Sequence, residues 1–348
     1  MKQPQEDSFQ NIVINKIKNI AFLTLAFIGK VISINAQVQD SLLPITGEIS
    51  LCLEKIKFDQ SEFTIIPIEQ FDNHSSLLYS SNANFWKVDA QLDPDSFLVV
   101  NKESREIIDI IHKSRVLGIE KGGNLKELAR LYGFIHKHQD SVSIKFVRGR
   151  KGFFNFDSIG PKLQNAFYVF SEIGVNPNLA QLLLLIESPN NPDAVSVSGA
   201  RGHFQLMPSV ARRYGLKVNR WKDERTDFNK SAKAAAKLIK KYCIPQAEII
   251  CRNMDIKYSP TELWFQLLAL HIYNAGAGTV SKAVYLYKGK VSEGGVLIRT
   301  LWNTNYGRFG NSSQNYTQVA LGSYLAYRNY LDQKSTRYYS ELTTDNKF

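Results

Sequence analysis

The sequence has 348 residues, 44% of them hydrophobic, and a formal net charge of +11 at pH 7. This composition excludes a disordered chain and is enough for one large or two ordinary domains with packed cores. The positive charge favours acidic partners. No helix-turn-helix, zinc-finger or RNA-binding signature accompanies it, so nucleic acid is not an expected partner.

Residues 1–36 have the pattern of a secretory signal. An apolar run over residues 20–28 follows two lysines, and the small residue Ala36 ends the segment. We therefore expect the mature chain to begin at Gln37. Lys30 interrupts the apolar stretch, which leaves an uncleaved N-terminal anchor as the alternative.

Residues 37–145 are predicted to form a small α+β accessory region whose role the sequence does not indicate. Strand-like runs cover residues 63–68 and 97–100, whereas the isoleucines within residues 103–117 recur at near-helical spacing. A second helix is predicted after Asn124, which is a suitable N-cap residue.

Residues 150–332 are predicted to form a helical domain, and residues 333–348 a C-terminal tail, so the expected fold class is mostly α. Asn176 followed by Pro177 is a helix start signal, and Gly215 is a stop signal. The predicted helices cover residues 161–173, 177–187, 208–214, 227–242, 259–273 and 279–287, and a last helix begins near Ser312.

The helix predicted over residues 177–187 ends in a glutamate, Glu187, which directly follows the apolar run of residues 182–186. An ionised carboxylate there loses hydration and faces the negative end of the helix dipole, and both effects raise its pKa. A carboxyl group that keeps its proton near neutral pH can act as a general acid on a glycosidic oxygen. The ordinary alternative is a solvated glutamate at a helix end.

The residues that follow form several short motifs in a fixed order. A Glu-Ser pair at residues 187–188 precedes N-P-x-A-x-S-x-x-G-A-x-G at residues 191–202 and G-x-x-Q-x-M-P at residues 202–208. Tyr-Asn-Ala-Gly stands at residues 273–276, and Tyr316 opens the last helix. Together these motifs resemble the lysozyme-like SLT domain of bacterial lytic murein transglycosylases. The chain is similar to the membrane-bound type D group, but without LysM repeats.

The resemblance implies a lysozyme-like catalytic domain that cleaves the β-1,4 bond between N-acetylmuramic acid and N-acetylglucosamine in peptidoglycan. In this family one carboxylic acid, here Glu187, gives a proton to the leaving oxygen. It then accepts one from the C6 hydroxyl of muramic acid, which closes a 1,6-anhydro ring. The implied substrate-binding residues are Ser196, Gln205, Met207, Tyr273, Asn274 and Tyr316.

Each of these residues takes its expected role from the family pattern. Ser196 and Gln205 would hydrogen-bond the sugar or the glutamate, and Met207 would line the floor of the cleft. Tyr273 and Asn274 would position the N-acetyl group and the sugar rings. The last tyrosine would orient the catalytic glutamate through its hydroxyl group.

A glycosidase that uses water normally needs a second carboxylate. The acidic residues nearest in sequence are Asp193, Asp223, Glu224 and Asp227. Each stands where a turn or a helix start would use it, so none is singled out as a partner. A single acid is compatible with the transglycosylase reaction, in which the substrate supplies the nucleophile.

Two other functions stay open: hydrolysis of the same bond, as in goose-type lysozymes, and wall binding without catalysis. Within the G-x-x-Q motif, His203 and Phe204 differ from the residues usual in the family, which puts the glycan preference in doubt. His203 is expected to be a packed or solvated histidine, with a glycan contact as the alternative. No cofactor or metal is expected, because His136 and His138 are not spaced as zinc ligands.

The expected partners are peptidoglycan strands and, through the accessory region, cell-envelope proteins. We expect the chain to meet them after export to the periplasm or cell envelope. The oligomeric state is not indicated.

The cysteines fit an oxidising compartment. Cys243 and Cys251 flank an Ile-Pro break, so we expect a disulfide that closes this loop, with two buried thiols as the alternative. Cys52 would then be unpaired. It lies well downstream of the signal, so a lipoprotein is not expected.

Overall fold

The computed structural model of the chain describes residues 43–45, 49–51, 54–58, 61–72, 76–115, 144–148, 156–187, 195–310 and 312–345. For Glu187 it describes the backbone, and the side chain lies outside the described part. Several sequence predictions fall outside these residues as well: the signal, the helix after Asn124, the histidines of the accessory region at 136 and 138, Cys52, and residues 188–194.

The accessory region contains short antiparallel sheets. The strands are β1 (Leu43–Ile45), β2 (Ile49–Leu51), β3 (Glu54–Phe58), β4 (Ser61–Ile65), β5 (Ser96–Asn101), β6 (Ile107–His112) and β7 (Ile144–Arg148). Strands β1 and β2 pair with each other, β3 pairs with β4, and β5 lies between β6 and β7 in a three-stranded sheet. Helix α1 (Ser81–Gln91) precedes β5, and its Phe85 packs against Leu98 and Val100.

The helix predicted over residues 103–117 is wrong, because residues 107–112 form strand β6. Its residues pair with β5, with Ile111 opposite Phe97 and Ile107 opposite Val100. Ile110 is 50% exposed whereas Ile111 is 7% exposed, the alternation of a strand. Isoleucine is β-branched and favours strands, so pairing with β5 overrides the ambiguous spacing. The strand predicted at 63–68 is confirmed in part, since β4 ends at Ile65.

Each helix predicted in the second region is present, with shifts at its ends, whereas the helices at Ile244–Asn253 and Gly294–Trp302 were not predicted. The helices of this region are α2 (Gly160–Ile173), α3 (Pro177–Glu187), α4 (Pro208–Arg213), α5 (Phe228–Leu238), α6 (Ile244–Asn253), α7 (Leu263–Ala275), α8 (Ala277–Tyr285), α9 (Gly294–Trp302) and α10 (Ser312–Asp345). The fold class, mostly α with a smaller α+β region before the helical domain, is confirmed. Within the described ranges, no helix combines the length and the apolar content that crossing a membrane would require.

Helix α7 runs through the middle of the hydrophobic core, and all its residues from Leu263 to Ile272 are buried. The same core contains apolar residues of the accessory region, among them Phe63 and Ile66, together with Leu331 near the end of the described chain. Helix α10 continues past residue 332 to Asp345. The domain limits suggested by the sequence stay predictions.

A buried network of side-chain amides joins α3, α7 and the segment after β4. The side chain of Gln181 accepts a hydrogen bond from the N–H of Ile66 (2.9 Å) and donates one to its carbonyl oxygen (2.9 Å), as a paired strand would. Asn178 donates to Gln266 (2.7 Å), which in turn donates to the carbonyl oxygen of Thr261 (2.8 Å). Because buried polar groups need partners, this network fixes the relative register of the three segments.

The disulfide expected between Cys243 and Cys251 is wrong: both are buried free thiols. A π-helical turn, Ile239–Cys243, connects α5 directly to α6, so the two cysteines lie on one continuous helical rod. Eight residues of helix separate their Cα atoms by roughly 12 Å, beyond the ~7 Å limit for a disulfide. Burial raises the pKa of each thiol to about 12.

Candidate active site

Helix α3 determines where Glu187 lies. The side chain of Asn176 accepts a hydrogen bond from the N–H of Asn178 (3.0 Å) just before the helix, which caps its first turn. The residues from Leu182 to Leu185 are buried, so the helix is embedded in the core up to its last turn. The backbone of Glu187 ends this helix. The raised pKa of its carboxyl group stays a prediction.

Residues 195–206, which we call the site loop, follow the undescribed residues after α3. The loop is folded on itself by short antiparallel bridges, in which Arg201 pairs with both Val195 and Leu206. The backbone hydrogen bonds between Arg201 and Leu206 are 3.2 Å in both directions. The two substrate-binding residues predicted in this loop, Ser196 and Gln205, therefore occupy a compact hairpin-like turn.

Ser196 stabilises the first half of the site loop. Its hydroxyl oxygen accepts a hydrogen bond from the N–H of Ala200 (2.9 Å) and lies 3.0 Å from the hydroxyl oxygen of Ser198. Its backbone N–H also donates to the carbonyl oxygen of Ala200 (2.8 Å). The hydroxyl group of Ser196 thus has a structural role in the loop, alongside the sugar contact predicted for it.

Gln205 has a left-handed backbone conformation, with φ = 42°. This region is uncommon for residues other than glycine, and such strain concentrates at functional sites. The side-chain amide of Gln205 donates to the carbonyl oxygen of Gly202 (2.8 Å). Tyr273 donates from its hydroxyl group to the carbonyl oxygen of Phe204 (2.7 Å), directly before the glutamine. The structure therefore brings Tyr273 of α7 together with the site loop.

The remaining predicted residues lie on different elements. Met207 precedes α4 and is 38% exposed, which fits a cleft wall better than a core position. Asn274 is exposed near the end of α7, where Gly276 (φ = 77°) ends the helix. Tyr316 is 5% exposed in the first turns of α10. Its predicted contact with Glu187 involves a side chain outside the described part.

Asp223 forms ion pairs with two arginines. Arg225 donates to both of its carboxylate oxygens, with distances of 2.9 Å from Nε and 2.7 Å from Nη2. A further contact of 3.3 Å comes from Arg201 of the site loop. The hydrogen bond from Arg225 is the largest cause that lowers the pKa of Asp223 to about 2. Such a carboxylate stays ionised and is not suited to act as a general acid near neutral pH.

The neighbouring carboxylates also have structural partners. Glu224 accepts a hydrogen bond from Lys230 (2.7 Å) and from the N–H of Lys217 (2.8 Å), and these bonds lower its pKa to about 2. Asp227 caps α5 by accepting from the N–H of Lys230 (3.0 Å). These roles agree with the turn and helix-start functions that the sequence suggested. Asp193, the fourth candidate, lies outside the described residues.

A buried chain of hydrogen bonds that the sequence did not reveal joins α7, α9 and α10. Trp302 donates from Nε1 to the hydroxyl oxygen of Thr317 (2.8 Å), and this oxygen lies 2.9 Å from Nε2 of His271. Burial lowers the pKa of His271 to about 3, so the imidazole is neutral at ordinary pH and can accept the proton of Thr317. The chain anchors the start of α10, next to Tyr316, on α7.

Among the residues that the structure describes, no cluster of His, Cys, Asp and Glu side chains could hold a metal ion. His203 is buried and its ring lies edge-on to that of Phe228, at 5.2 Å between centroids. This histidine, a departure from the motif pattern, therefore packs in the interior beside the site loop.

Comparison with known proteins gives a match to the family model "Transglycosylase SLT domain" over residues 170–292. Two curated relatives are the membrane-bound lytic murein transglycosylases D of Escherichia coli K12 and Escherichia coli O6:H1. Each is 32% identical over 109 residues, which are 31% of this chain and 21% of the relative. The match thus spans about a fifth of the length of these relatives. It confirms the family resemblance for the segment that contains Glu187, the site loop and the end of α7.

Proposed function

We propose that this chain, which carries a transglycosylase SLT domain over residues 170–292, is a peptidoglycan lytic transglycosylase. It would cleave the β-1,4 bond between N-acetylmuramic acid and N-acetylglucosamine and leave 1,6-anhydromuramic acid ends. The observation that carries this proposal is the family match over residues 170–292, which include the end of α3 and the site loop.

The proposed reaction needs one carboxylic acid. Glu187 donates its proton to the glycosidic oxygen as the bond to C1 of the muramic acid breaks, and N-acetylglucosamine leaves with that proton. The carboxylate then removes the proton of the C6 hydroxyl group as this oxygen bonds to C1. Glu187 regains its proton, no water is consumed, and no second carboxylate is required. The structural commitments of Asp223, Glu224 and Asp227 are compatible with this scheme.

The other site residues position the glycan. Gln205 and Ser196 offer hydrogen-bonding groups from the site loop, and Met207 offers an apolar contact surface beside them. Tyr273 supports the loop from α7, and the exposed side chain of Asn274 is available to the N-acetyl group. Tyr316, at the start of α10, is assigned the orientation of Glu187.

The substrate and the location follow from the same assignment. We propose that the chain acts on peptidoglycan strands in the periplasm or cell envelope, where residues 1–36 would direct it. Without residues 1–36, which contribute 4 − 2 = +2, the net charge is 11 − 2 = +9, and this charge favours contact with the carboxylates of the peptide stems. A role of the accessory region in contacting cell-envelope proteins is part of the same proposal.

Digestion of purified sacculi, followed by mass spectrometry of the soluble products, tests the reaction. The expected products are muropeptides with anhydro ends, each lighter by one water than the corresponding hydrolysis product. Products with reducing ends would instead identify a hydrolase of the goose-lysozyme type. Binding to sacculi without release of soluble material would identify a wall-binding protein and refute the proposed activity.

A further inference from the structure

We infer that Arg225 is a positioning residue that holds Ser196 and Gln205 in place for the glycan. Its effect on catalysis rests on the proposed function, whereas its hydrogen bonds to the site loop do not depend on that function. Arg225 is 6% exposed and lies in a short 3₁₀ turn, Glu224–Thr226, outside the site loop. None of the sequence motifs that define the site includes it.

The guanidinium group of Arg225 connects both halves of the site loop. Its Nη1 atom donates to the carbonyl oxygen of Gly199 (2.7 Å) and to that of Leu206 (2.9 Å). Gly199 closes the turn that begins at Ser196, because its N–H donates to the carbonyl oxygen of Ser196 (2.8 Å). Leu206 directly follows Gln205. One buried nitrogen therefore ties down the loop beside each of the two substrate-binding residues.

The backbone of Arg225 contacts the middle of the same loop. Gly202 packs so closely that a Cβ atom added to it would lie 2.0 Å from the carbonyl oxygen of Arg225. The carbonyl oxygen of Gly202 accepts hydrogen bonds from the backbone N–H (3.0 Å) and the side-chain amide (2.8 Å) of Gln205. Arg225 thus supports the left-handed conformation of Gln205 through Gly202.

Asp223 fixes the orientation of the guanidinium group. It accepts from Nε and Nη2 and so leaves Nη1 directed at the loop carbonyls. This arrangement requires a planar group with several donors at fixed angles, which arginine has and lysine lacks. An Arg225→Lys variant keeps the charge but cannot bind Asp223 through two parallel bonds and also reach both ends of the loop.

Glu224 provides a matched control. It lies in the same 3₁₀ turn, is 8% exposed and forms ion pairs with Lys222 and Lys230. Its side chain contacts Lys222, Lys230 and the N–H of Lys217, which all lie outside the site loop. Glu224→Gln therefore disturbs an ion-pair network of similar burial without removing a bond to the loop.

The experiment combines kinetics on soluble glycan strands from peptidoglycan with hydrogen exchange of the backbone amides. Because displacement by about 1 Å can cost about 100-fold in rate, Arg225→Lys should lower kcat by about 10- to 100-fold per folded molecule. The amides of Ala200 and Leu206 should exchange at least about tenfold faster, with those of α7 unchanged. Glu224→Gln should keep kcat within about twofold of wild type.

Each outcome bears on the inference. A folded Arg225→Lys variant with wild-type kcat would overturn it, even if the loop amides exchange faster, because Arg225 would then be only structural. If Arg225→Lys does not fold, Asp223→Asn replaces it, and wild-type kcat in that variant has the same meaning. Wild-type protein without glycan cleavage would refute the proposed function instead. In that case unchanged loop exchange in Arg225→Lys would refute the positioning role as well, whereas faster exchange would support it.

Discussion

The free energy of unfolding should decrease as the pH falls below about 6.5 because of His271. This side chain is fully buried, and burial lowers its pKa from 6.5 to about 3. The unfolded chain therefore takes up a proton near pH 6.5, whereas the folded protein does not until about pH 3. Stability from the neutral imidazole is complete above pH 6.5 and is lost as the pH falls towards 3.

The magnitude follows from the two pKa values. A pH of about 5 is about 1.5 units below the pKa of the histidine in the unfolded chain. Protonation therefore stabilises the unfolded state by roughly 2 kcal/mol at this pH. Guanidinium unfolding followed by tryptophan fluorescence, at several pH values between about 7.5 and 4.5, measures this loss. His271→Gln keeps an acceptor for Thr317 but removes the titrating group. The free energy of unfolding of this variant should therefore depend less steeply on pH, because its unfolded state takes up about one proton fewer. Parallel pH profiles for the two proteins would refute a neutral buried His271.

Three further predictions concern buried groups: a hydrogen-bonded amide, a glycine against a ring and two thiols. Gln181→Leu should destabilise the fold by roughly 3 kcal/mol in chemical unfolding, because it removes both hydrogen bonds to the backbone after β4; a loss below about 0.5 kcal/mol would contradict this. Gly294→Ala should destabilise the fold by more than about 1 kcal/mol, because the new Cβ atom would lie 2.0 Å from the Trp264 ring. Gly278→Ala is the control: its Cβ atom meets nothing within 4 Å, so this variant should be neutral or slightly stabilising. Cys243 and Cys251 should react with a thiol reagent only after unfolding, and an intact disulfide in mass spectrometry would contradict their assignment as free thiols.

The helices could be predicted where their ends carry local signals. Asn176 and Pro177 mark the start of α3, and Gly276 marks the end of α7, because capping and left-handed backbone depend on the residue itself. Strand β6 could not be predicted, since isoleucines at that spacing fit a helix as well as a strand. The decision comes from pairing with β5, which is a contact between distant residues.

Pro245 illustrates a second limit of sequence reasoning. Proline normally breaks a helix, and the sequence therefore suggested a loop between the two cysteines. In the structure Pro245 lies in the first turn of α6, directly after the π-helical turn Ile239–Cys243. The wider turn accommodates the proline and lets the rod continue, so the expected disulfide cannot form.

In the candidate site as well, residues within short motifs could be predicted, whereas residues that contact the site from distant positions in the sequence could not. The motif pattern predicted substrate-binding residues in the site loop and at Tyr273, and the structure brings Tyr273 into contact with that loop. The supporting residues were not identified. Arg225 contacts the loop across 19 to 26 positions and Thr317 contacts His271 across 46, so no local pattern links them.

The most direct test of the account compares release of soluble anhydro-muropeptides from sacculi by wild type, Glu187→Gln and Glu172→Gln. Glu172 is an exposed glutamate of α2 and serves as the matched control. We predict that Glu187→Gln unfolds at the wild-type temperature but releases no soluble product, while Glu172→Gln retains the wild-type rate. Wild-type release by folded Glu187→Gln would contradict the assignment of Glu187 as the catalytic acid.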